Sequence, residues 1–287
     1  MYIFPHSSWG LGDDVCLELH RCIPGLKQSG FKWYQLLKKT MIELGFKPSA
    51  VDPCLFIKKE NDGPIQGVAA VHVDDLIMTG AKAVIDLLRK NLGDAFEIHD
   101  LGAAEEHLGV KIEYDAEKGE LALSQPAYTQ ELLTEFKMEN SKPVPTPASA
   151  VRLTADMCPK TDEEKAEMAE WRTKLHSGVM KLRFLDQNTR YKILYAVGEL
   201  SRWLVNPGQE HVKAFKRVLR YLKGTHDYKL IYRRTNRRGD NDDYIIDDEC
   251  VGYADASWAE CPDTGLSTTG YVFMMCGAAI CAKTLRQ

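Results

Sequence analysis

The sequence of 287 residues contains no apolar run long enough to cross a membrane. A membrane-spanning helix needs about 20 consecutive apolar residues, and the longest candidate, residues 271–282, is interrupted by Gly277 and indicates two strands. The N-terminus, MYIFPHSSWG, also lacks the basic segment followed by an apolar stretch that marks a secretory signal peptide. We therefore expect no membrane partner and a location inside the cell, in the cytoplasm or the nucleus.

Closely spaced cysteine pairs are absent as well. The eight cysteines lie at positions 16, 22, 54, 158, 250, 261, 276 and 281. None forms a C-x-x-C pair, which argues against a zinc site. Their scatter along a chain without a secretion signal indicates reduced thiols. Because free cysteine is commonly buried, we predict that most of them lie in the core.

The chain has no overall excess of positive charge, since its formal net charge is −4, and this excludes a uniformly basic nucleic-acid binder. Residues 172–238 nevertheless carry 17 Lys and Arg against 4 Asp and Glu. One face of a helix predicted near 210–224 collects five of them: Lys213, Lys216, Arg217, Arg220 and Lys223. This distribution favours a polyanionic partner for one region, while a solvated basic helix face is the alternative.

The hydrophobic pattern predicts an α+β chain with an antiparallel sheet. Apolar residues at helical spacing indicate helices over 30–45, 81–93 and 124–137, and in two segments between 189 and 224. Alternating segments between the first three helices predict two hairpins, and short strands follow residue 250. This order differs from the strict alternation of a parallel α/β fold. The three prolines of SKPVPTPASA (141–150) predict a stiff, extended connection.

Two adjacent carboxylates, Asp74 and Asp75, lie at the predicted tip of the first hairpin, in VHVDDLIM. Carboxylates a few ångströms apart repel each other unless a proton or a cation lies between them. Mg²⁺ prefers one or two carboxylates together with substrate phosphates, and two-metal sites of this kind catalyse phosphoryl transfer. A solvated β-turn is the alternative, because Asp is a favoured turn residue.

Seven segments of the sequence are informative about its relationship to known proteins, because they follow one another in a characteristic order. They are PGLKQSGFKWY (24–34), GFKPSAVDPCLF (45–56), HVDDLIMTG (72–80), DLGAAEEHLGVKIE (100–113), KPVPTPAS (142–149), TRYKILYAVGELSRWLVNPGQEHVKAFKRVLRYLKGT (189–225) and GYADASWAECPDTGLSTTGYVF (252–273). Together they resemble the reverse transcriptase and ribonuclease H region of copia-type LTR retrotransposon polyproteins. The resemblance implies a reverse-transcriptase palm over 1–140 with its fingers mostly missing. It also implies a Pro-rich linker with a basic helical thumb or connection region over 141–238, and a truncated ribonuclease H-like start over 239–287.

The resemblance further implies an RNA-directed DNA polymerase and a role for each matching residue. Asp74 and Asp75 would be catalytic ligands of Mg²⁺ or Mn²⁺, and Asp255 would be the first metal carboxylate of ribonuclease H. The nucleotide-binding residues would be Gly25, Leu26, Lys27 and Gln28. The primer grip would comprise His72, which stands where the family has Tyr, with His107, Leu108 and Gly109. Lys213, Lys216, Arg217, Arg220 and Lys223 would contact nucleic acid. The implied partners are an RNA or DNA template–primer, dNTPs and the other parts of the polyprotein.

The family pattern also extends beyond this sequence. A further polymerase Asp would precede Met1, and later ribonuclease H carboxylates would follow Gln287, so the resemblance implies an incomplete enzyme. A non-catalytic nucleic-acid-binding remnant is the alternative, based on the basic block at 172–238. A decayed reading frame with a partial fold and no function is a third hypothesis.

Overall fold

The computed structural model describes all residues except 1, 5, 13, 14, 21, 24, 62, 235, 239–243, 247 and 248. The chain divides into two compact units, Met1–Ala104 and Glu105–Gln287. Residues 105–140 therefore belong to the same compact unit as the later part of the chain. The domain ranges expected from the sequence, 1–140, 141–238 and 239–287, stay predictions.

The first unit combines two helices with antiparallel strands. Its elements are β1 (Tyr2–Ile3), a 3-10 turn (Ser7–Trp9), β2 (Leu17–Glu18), α1 (Ser29–Glu43), β3 (Lys47–Pro48), β4 (Leu55–Lys59), β5 (Ile65–His72), β6 (Asp75–Gly80) and α2 (Lys82–Ala95). The strands β3 to β6 form one sheet in chain order, as expected for consecutive hairpins. The predicted first hairpin and its flanking helices are thus confirmed.

The core of the first unit lies between the four-stranded sheet and its two helices. Its fully buried residues are Leu37, Met41, Phe46, Phe56, Ala69, Leu88 and Leu92. Leu37 and Met41 are four residues apart on α1, and so are Leu88 and Leu92 on α2, the spacing that aligns side chains on one helix face. Phe31, also on α1, is 67% exposed, so the buried stripe of this helix does not extend to its first turn.

The second unit contains five helices and three further antiparallel sheets among its described residues. Its elements are β7 (Glu106–His107), β8 (Val110–Asp115), β9 (Glu120–Ser124), α3 (Pro126–Glu135), α4 (Asp162–Glu167), α5 (Ala169–Asn188), α6 (Leu194–Ser201), α7 (Gln209–Gly224), β10 (Leu230–Arg233), β11 (Asn236–Arg238), β12 (Tyr244–Ile246), β13 (Val251–Ala256), β14 (Thr268–Met275) and β15 (Ala278–Arg286). Two 3-10 turns, Ala155–Met157 and Tyr191–Ile193, lie between them. The mixed helical and antiparallel character confirms the α+β class at this level.

A helical core of sixteen buried residues organises the second unit, drawn mainly from α3, α5, α6 and α7. The apolar face predicted for α7 is fully buried, with Val212 and Phe215 on one turn and Leu219 and Leu222 on the next. β10 pairs with β9 although more than 100 residues separate them, which ties the end of α7 back to the second hairpin. The sequence pattern did not predict this long-range pairing.

Gly178 in α5 lies where aromatic rings of the core approach the helix. A Cβ atom at this position would lie 2.4 Å from Phe215 Cζ and 2.7 Å from Phe136 Cζ. Ala is the better helix former by about 1 kcal/mol, but overpacking a tight core costs about 1–3 kcal/mol. Gly178→Ala is therefore expected to lower the free energy of unfolding by about 1 kcal/mol, measured by urea denaturation.

A matched control for this substitution lies on the neighbouring helix. A Cβ at Gly198 in α6 would have no heavy atom within 4 Å, so Gly198→Ala keeps the gain in helix propensity without the clash. It is expected to raise the free energy of unfolding by up to about 1 kcal/mol. If both substitutions changed the free energy of unfolding in the same direction, the tight packing at Gly178 would be contradicted.

The cysteines differ from the sequence-based prediction in one respect. All eight are free thiols, as expected, but only Cys261 is buried, while Cys16, Cys22, Cys250 and Cys281 are exposed. The general tendency of cysteine to occupy cores therefore fails for this chain. Among the helices described, none combines the length and the apolar character needed to cross a lipid bilayer.

Candidate functional site

The two adjacent aspartates lie at the tip of the β5–β6 hairpin. His72 is paired with Asp75 across the two strands, so Val73 and Asp74 form the connecting turn. Both Asp74 and Asp75 are exposed. Within the part of the chain that the structure describes, neither carboxylate takes part in a hydrogen bond or an ion pair. Four carboxylate oxygens at the tip are thus available to a cation.

The backbone is strained at the tip of the β5–β6 hairpin. Val73 adopts a φ of 55°, a left-handed conformation that is unusual for a β-branched residue. Such conformations cost about 1–3 kcal/mol and persist where the surrounding structure enforces them, often at functional sites. Here the enforcing features are the short connection between two paired strands and a contact from α1.

That contact comes from Trp33, whose indole Nε1 donates a hydrogen bond of 2.9 Å to the carbonyl oxygen of Val73. The Trp33 ring also packs edge-on against Phe96 at the end of α2, with the ring centroids 5.0 Å apart. One side chain therefore connects both helices of the unit with the turn that carries Asp74. No role for Trp33 was predicted from the sequence, although the position falls within the segment PGLKQSGFKWY.

The four residues assigned to nucleotide binding lie together at the start of α1. Gly25, Leu26 and Lys27 precede the helix, Gly25 with a φ of 92°, and Gln28 is its N-cap residue. The turn is fixed by Ser29, whose backbone NH donates to Leu26 O at 2.9 Å and whose hydroxyl donates to Ile23 O at 2.7 Å. Gln28 and Trp33 are separated by roughly 7.5 Å along the helix axis. Lys27 is exposed and contributes a positive charge to this end of α1.

The residues assigned to the primer grip belong to different units. His72 ends β5 in the first unit and is exposed. His107 ends β7 in the second unit, and Leu108 and Gly109 form the tight turn into β8, with φ angles of 50° and 73°. Two consecutive positive φ angles are typical of a two-residue hairpin turn, for which Gly at the second position is favoured.

The basic residues of α7 have specific intramolecular contacts. Lys213 is exposed and pairs with Glu210 at 2.5 Å, and the Lys216 Nζ lies 4.8 Å from the centroid of the Trp171 ring. The other three donate hydrogen bonds to the Pro-rich segment: Arg217 to the Thr146 hydroxyl, Arg220 to Lys142 O and Lys223 to Ser141 O. The basic face of α7 thus holds residues 141–146 against the helix, a structural task that the sequence analysis did not foresee.

Asp255 lies on β13, opposite Gly270 of β14, and is exposed. Its Oδ1 accepts a hydrogen bond of 2.8 Å from the backbone NH of Ala256. Among the described residues, no group of three or more His, Cys, Asp or Glu side chains is arranged to hold a metal ion. The donor set at the hairpin tip therefore consists of two carboxylates, which suits a Mg²⁺ ion that takes its remaining ligands from substrate phosphates and water.

Comparison with known proteins identifies the family to which the chain belongs. Residues 5–150 match the family "Reverse transcriptase (RNA-dependent DNA polymerase)". The chain is 37% identical over 268 residues to the retrovirus-related Pol polyprotein from transposon TNT 1-94 of Nicotiana tabacum, which covers 93% of this chain and 19% of that protein. It is 33% identical to the Pol polyprotein from transposon RE2 of Arabidopsis thaliana, covering 91% of this chain and 16% of that protein.

A shorter relative matches along most of its own length. The putative transposon Ty5-1 protein of Saccharomyces cerevisiae is 28% identical over 268 residues, which cover 93% of this chain and 80% of that protein. The chain spans less than a fifth of the two plant polyproteins. No solved structure matches it. The chain belongs to the reverse transcriptase (RNA-dependent DNA polymerase) family as it occurs in retrotransposon Pol polyproteins, in agreement with its resemblance to copia-type elements.

Proposed function

We propose that the chain serves RNA-directed DNA polymerisation, with Asp74 and Asp75 as ligands of Mg²⁺ or Mn²⁺. The observation that carries the proposal is the exposed β5–β6 tip, where two carboxylates without protein partners among the described residues follow a strained Val73. When bound, a pair of divalent ions activates the attacking oxygen and stabilises the leaving one in phosphoryl transfer. The two aspartates contribute the negative charge that holds the ions at the hairpin tip.

The substrates of this reaction are a template–primer and dNTPs. Lys27, exposed at the start of α1, carries a charge suited to the phosphates of an incoming nucleotide, together with Gly25, Leu26 and Gln28. His72, His107, Leu108 and Gly109 are proposed to contact the primer, and Asp255 is proposed to act as a ribonuclease H metal ligand. The remaining parts of a Pol polyprotein are the proposed partners.

The test is primer extension by the purified chain on an RNA template with dNTPs. The expected result is extension that requires the template and Mg²⁺ or Mn²⁺ and that stops when EDTA is added. Such extension would contradict the incomplete enzyme that the resemblance implies. Binding of Mn²⁺ in the presence of a dNTP, followed by electron paramagnetic resonance, provides a second readout. A chain that neither extends the primer nor binds Mn²⁺ with a dNTP would overturn the proposal.

Trp33 is expected to be a positioning residue for this reaction. Trp33→Phe removes the hydrogen bond to Val73 O while keeping an aromatic ring against Phe96. Because displacement of a catalytic group by about 1 Å can cost up to a hundredfold in rate, we expect primer extension to fall roughly 10- to 100-fold. Since the aspartates themselves are intact, kcat should fall while Mn²⁺ still binds.

A control for this substitution lies on the same helix. Tyr34→Phe also removes one hydrogen bond, of 2.8 Å, but this bond reaches Pro53 O and not the hairpin tip. Primer extension by the Tyr34→Phe variant should match the unsubstituted chain. An equal loss in both variants would show that the first unit is destabilised in general, and Trp33 would then have no positioning role.

A further inference from the structure

A groove lies between the Pro-rich segment and the C-terminal end of α7, within the second unit. Its volume is about 640 Å³, which falls in the range of ligand-binding sites. Its lining combines prolines with cationic and aromatic side chains, among them Pro143, Pro145, Pro147, Lys192, Tyr221 and Tyr228. We refer to it as the proline groove.

The proline wall of this groove is held in place by α7. Arg217 Nη2 donates to the Thr146 hydroxyl at 2.8 Å, Arg220 Nε donates to Lys142 O at 2.6 Å, and Lys223 Nζ donates to Ser141 O at 2.8 Å. Hydrogen bonds from charged donors are stronger than neutral ones, and three of them anchor six residues of chain. The groove is therefore preformed, which reduces the entropy that a ligand must offset on binding.

Two cations beside the groove have no carboxylate partner among the residues that the structure describes. Arg190 is 4% exposed, donates to the Thr225 hydroxyl, and has its guanidinium carbon 5.8 Å from the centroid of the Tyr228 ring. Lys192 is exposed, with its Nζ 5.0 Å from the same centroid. Among the described residues no carboxylate oxygen lies within 4 Å of either side chain, and Asp227 acts on Arg190 only through space. Within the described part of the chain, the positive charge at this end of the groove is thus not compensated by a direct ion pair.

Tyr228 is 46% exposed and lines the groove together with the prolines and Lys192. An aromatic ring offers a stacking surface to any base, and neighbouring cations attract the phosphates that accompany it. A Lys ammonium sits on a flexible four-carbon stem, so Lys192 can move from the ring to a phosphate. A stacked base must be unpaired, which favours a single strand over a duplex.

We propose that the proline groove binds single-stranded nucleic acid, with a base against Tyr228 and a phosphate at Lys192. This inference rests on the proposed polymerase function for the identity of its natural ligand, but the binding needs neither a metal ion nor Asp74. It also changes the role of the basic helix, because Arg217, Arg220 and Lys223 then shape the groove wall and leave the phosphate contact to Lys192.

The test measures binding of a fluorescent oligo(dT) of about 12 nucleotides, a length within the site sizes of single-strand binders, to the full chain in EDTA by fluorescence anisotropy. Tyr228→Ala is expected to weaken binding roughly 5- to 100-fold, the loss associated with one stacked base, whereas Tyr228→Phe retains the ring and the affinity. An abasic oligonucleotide of the same length should bind equally to the unsubstituted chain and to Tyr228→Ala.

Charge contributions are separated by the salt dependence of binding. Lys192→Gln should reduce the slope of log K against log salt concentration by about 0.7, the value for one phosphate contact on a single strand. Lys165→Gln is the matched control, because Lys165 carries the same charge on the exposed helix α4 and is paired with Asp162 at 3.0 Å. Binding by Lys165→Gln should be unchanged.

Three results would overturn the inference. Equal weakening by Lys192→Gln and Lys165→Gln would assign binding to the positive charge of the chain in general. Unchanged oligo(dT) binding by Tyr228→Ala would remove the base contact. Displacement of oligo(dT) from the groove by polyglutamate, with the same sensitivity to Tyr228→Ala, would indicate an acidic peptide as the ligand. None of these results affects Mg²⁺-dependent primer extension. The proposal of single-strand binding in the groove can therefore fail while the polymerase proposal stands, and the reverse.

Discussion

Asp74→Asn is expected to reduce template-dependent primer extension by about a thousandfold, because a metal-held charge is worth several kcal/mol in the transition state and each factor of ten corresponds to about 1.4 kcal/mol. The substitution keeps the shape of the side chain and removes the charge that would hold a divalent ion. Asp75→Asn should have an effect of the same order. Binding of Mn²⁺ with a dNTP should weaken in both variants.

The loss of primer extension in these two variants should not be accompanied by a loss of thermal stability. Both carboxylates are exposed and make no hydrogen bond or ion pair within the described residues, so their loss removes no stabilising contact. Relief of the repulsion between adjacent carboxylates favours the folded chain slightly. A thermal melt should therefore stay unchanged or shift upward.

The charge change itself is controlled by Asp86→Asn on α2, an exposed residue of the same unit whose nearest cation is Arg89 at 3.8 Å. This variant should extend the primer as the unsubstituted chain does. Retained extension in Asp74→Asn and Asp75→Asn would remove both residues from the proposed reaction. A loss of extension accompanied by a lower melting temperature would assign them a structural role instead.

Asp186→Asn is expected to stabilise the chain at neutral and alkaline pH. Asp186 on α5 is fully buried, its Oδ2 pairs with Arg183 at 3.0 Å, and its Oδ1 has no hydrogen-bond partner among the described residues. Burial raises the pKa of this carboxyl to about 6, and the nearby Arg183 lowers that pKa only in part. The charged form is therefore unfavourable in the folded chain.

The direction of the pH dependence follows from this pKa. The folded chain binds the Asp186 proton more tightly than the unfolded chain, so the contribution of this group to stability decreases as pH rises from 3.8 to about 6. One pKa unit corresponds to about 1.4 kcal/mol, which gives a cost of up to about 3 kcal/mol above that range. The amide cannot ionise and avoids this cost.

Urea denaturation across the pH range measures the effect. The difference in the free energy of unfolding between Asp186→Asn and the unsubstituted chain should be near zero at about pH 3.5 and reach up to about 3 kcal/mol at pH 8. Asp156→Asn, at a side chain 90% exposed and paired with Lys160, should show little difference at either pH. A pH-independent difference for Asp186→Asn, or a less stable variant at pH 8, would contradict the buried charge.

Local patterns were sufficient for most elements of this fold. The helical spacing in KWYQLLKKTMIE and the alternation around Asp74 and Asp75 predict α1 and the β5–β6 hairpin because both depend on contacts between residues close in sequence. Helix α7 was predicted for the same reason. The start of α3 is an exception: the predicted helix begins at residue 124, but Gln125 occupies the N-cap and the helix begins at Pro126.

The candidate site was likewise predicted in part from local sequence patterns and in part only from the folded chain. Its position at Asp74 and Asp75 followed from adjacent carboxylates at a predicted turn, and its chemistry followed from the resemblance of ordered motifs. The support that Trp33 gives to Val73 crosses 40 residues of sequence. No local pattern distinguishes an indole that donates to a hairpin tip from one that fills a core, so this contact required the folded chain.

The basic helix shows most clearly what the sequence alone determined and what tertiary structure decided. The sequence fixes the charges of Arg217, Arg220 and Lys223 and, through helical periodicity, the face on which they lie. It does not fix their partners, because the carbonyl and hydroxyl groups they bind belong to a segment more than 70 residues earlier. The packing of residues 141–146 along α7 shows that these three candidate phosphate-binding side chains instead support the wall of a groove. The physical reason is that side-chain chemistry is local, whereas the choice between a solvent, a ligand and a distant backbone oxygen depends on which groups folding brings within hydrogen-bonding distance.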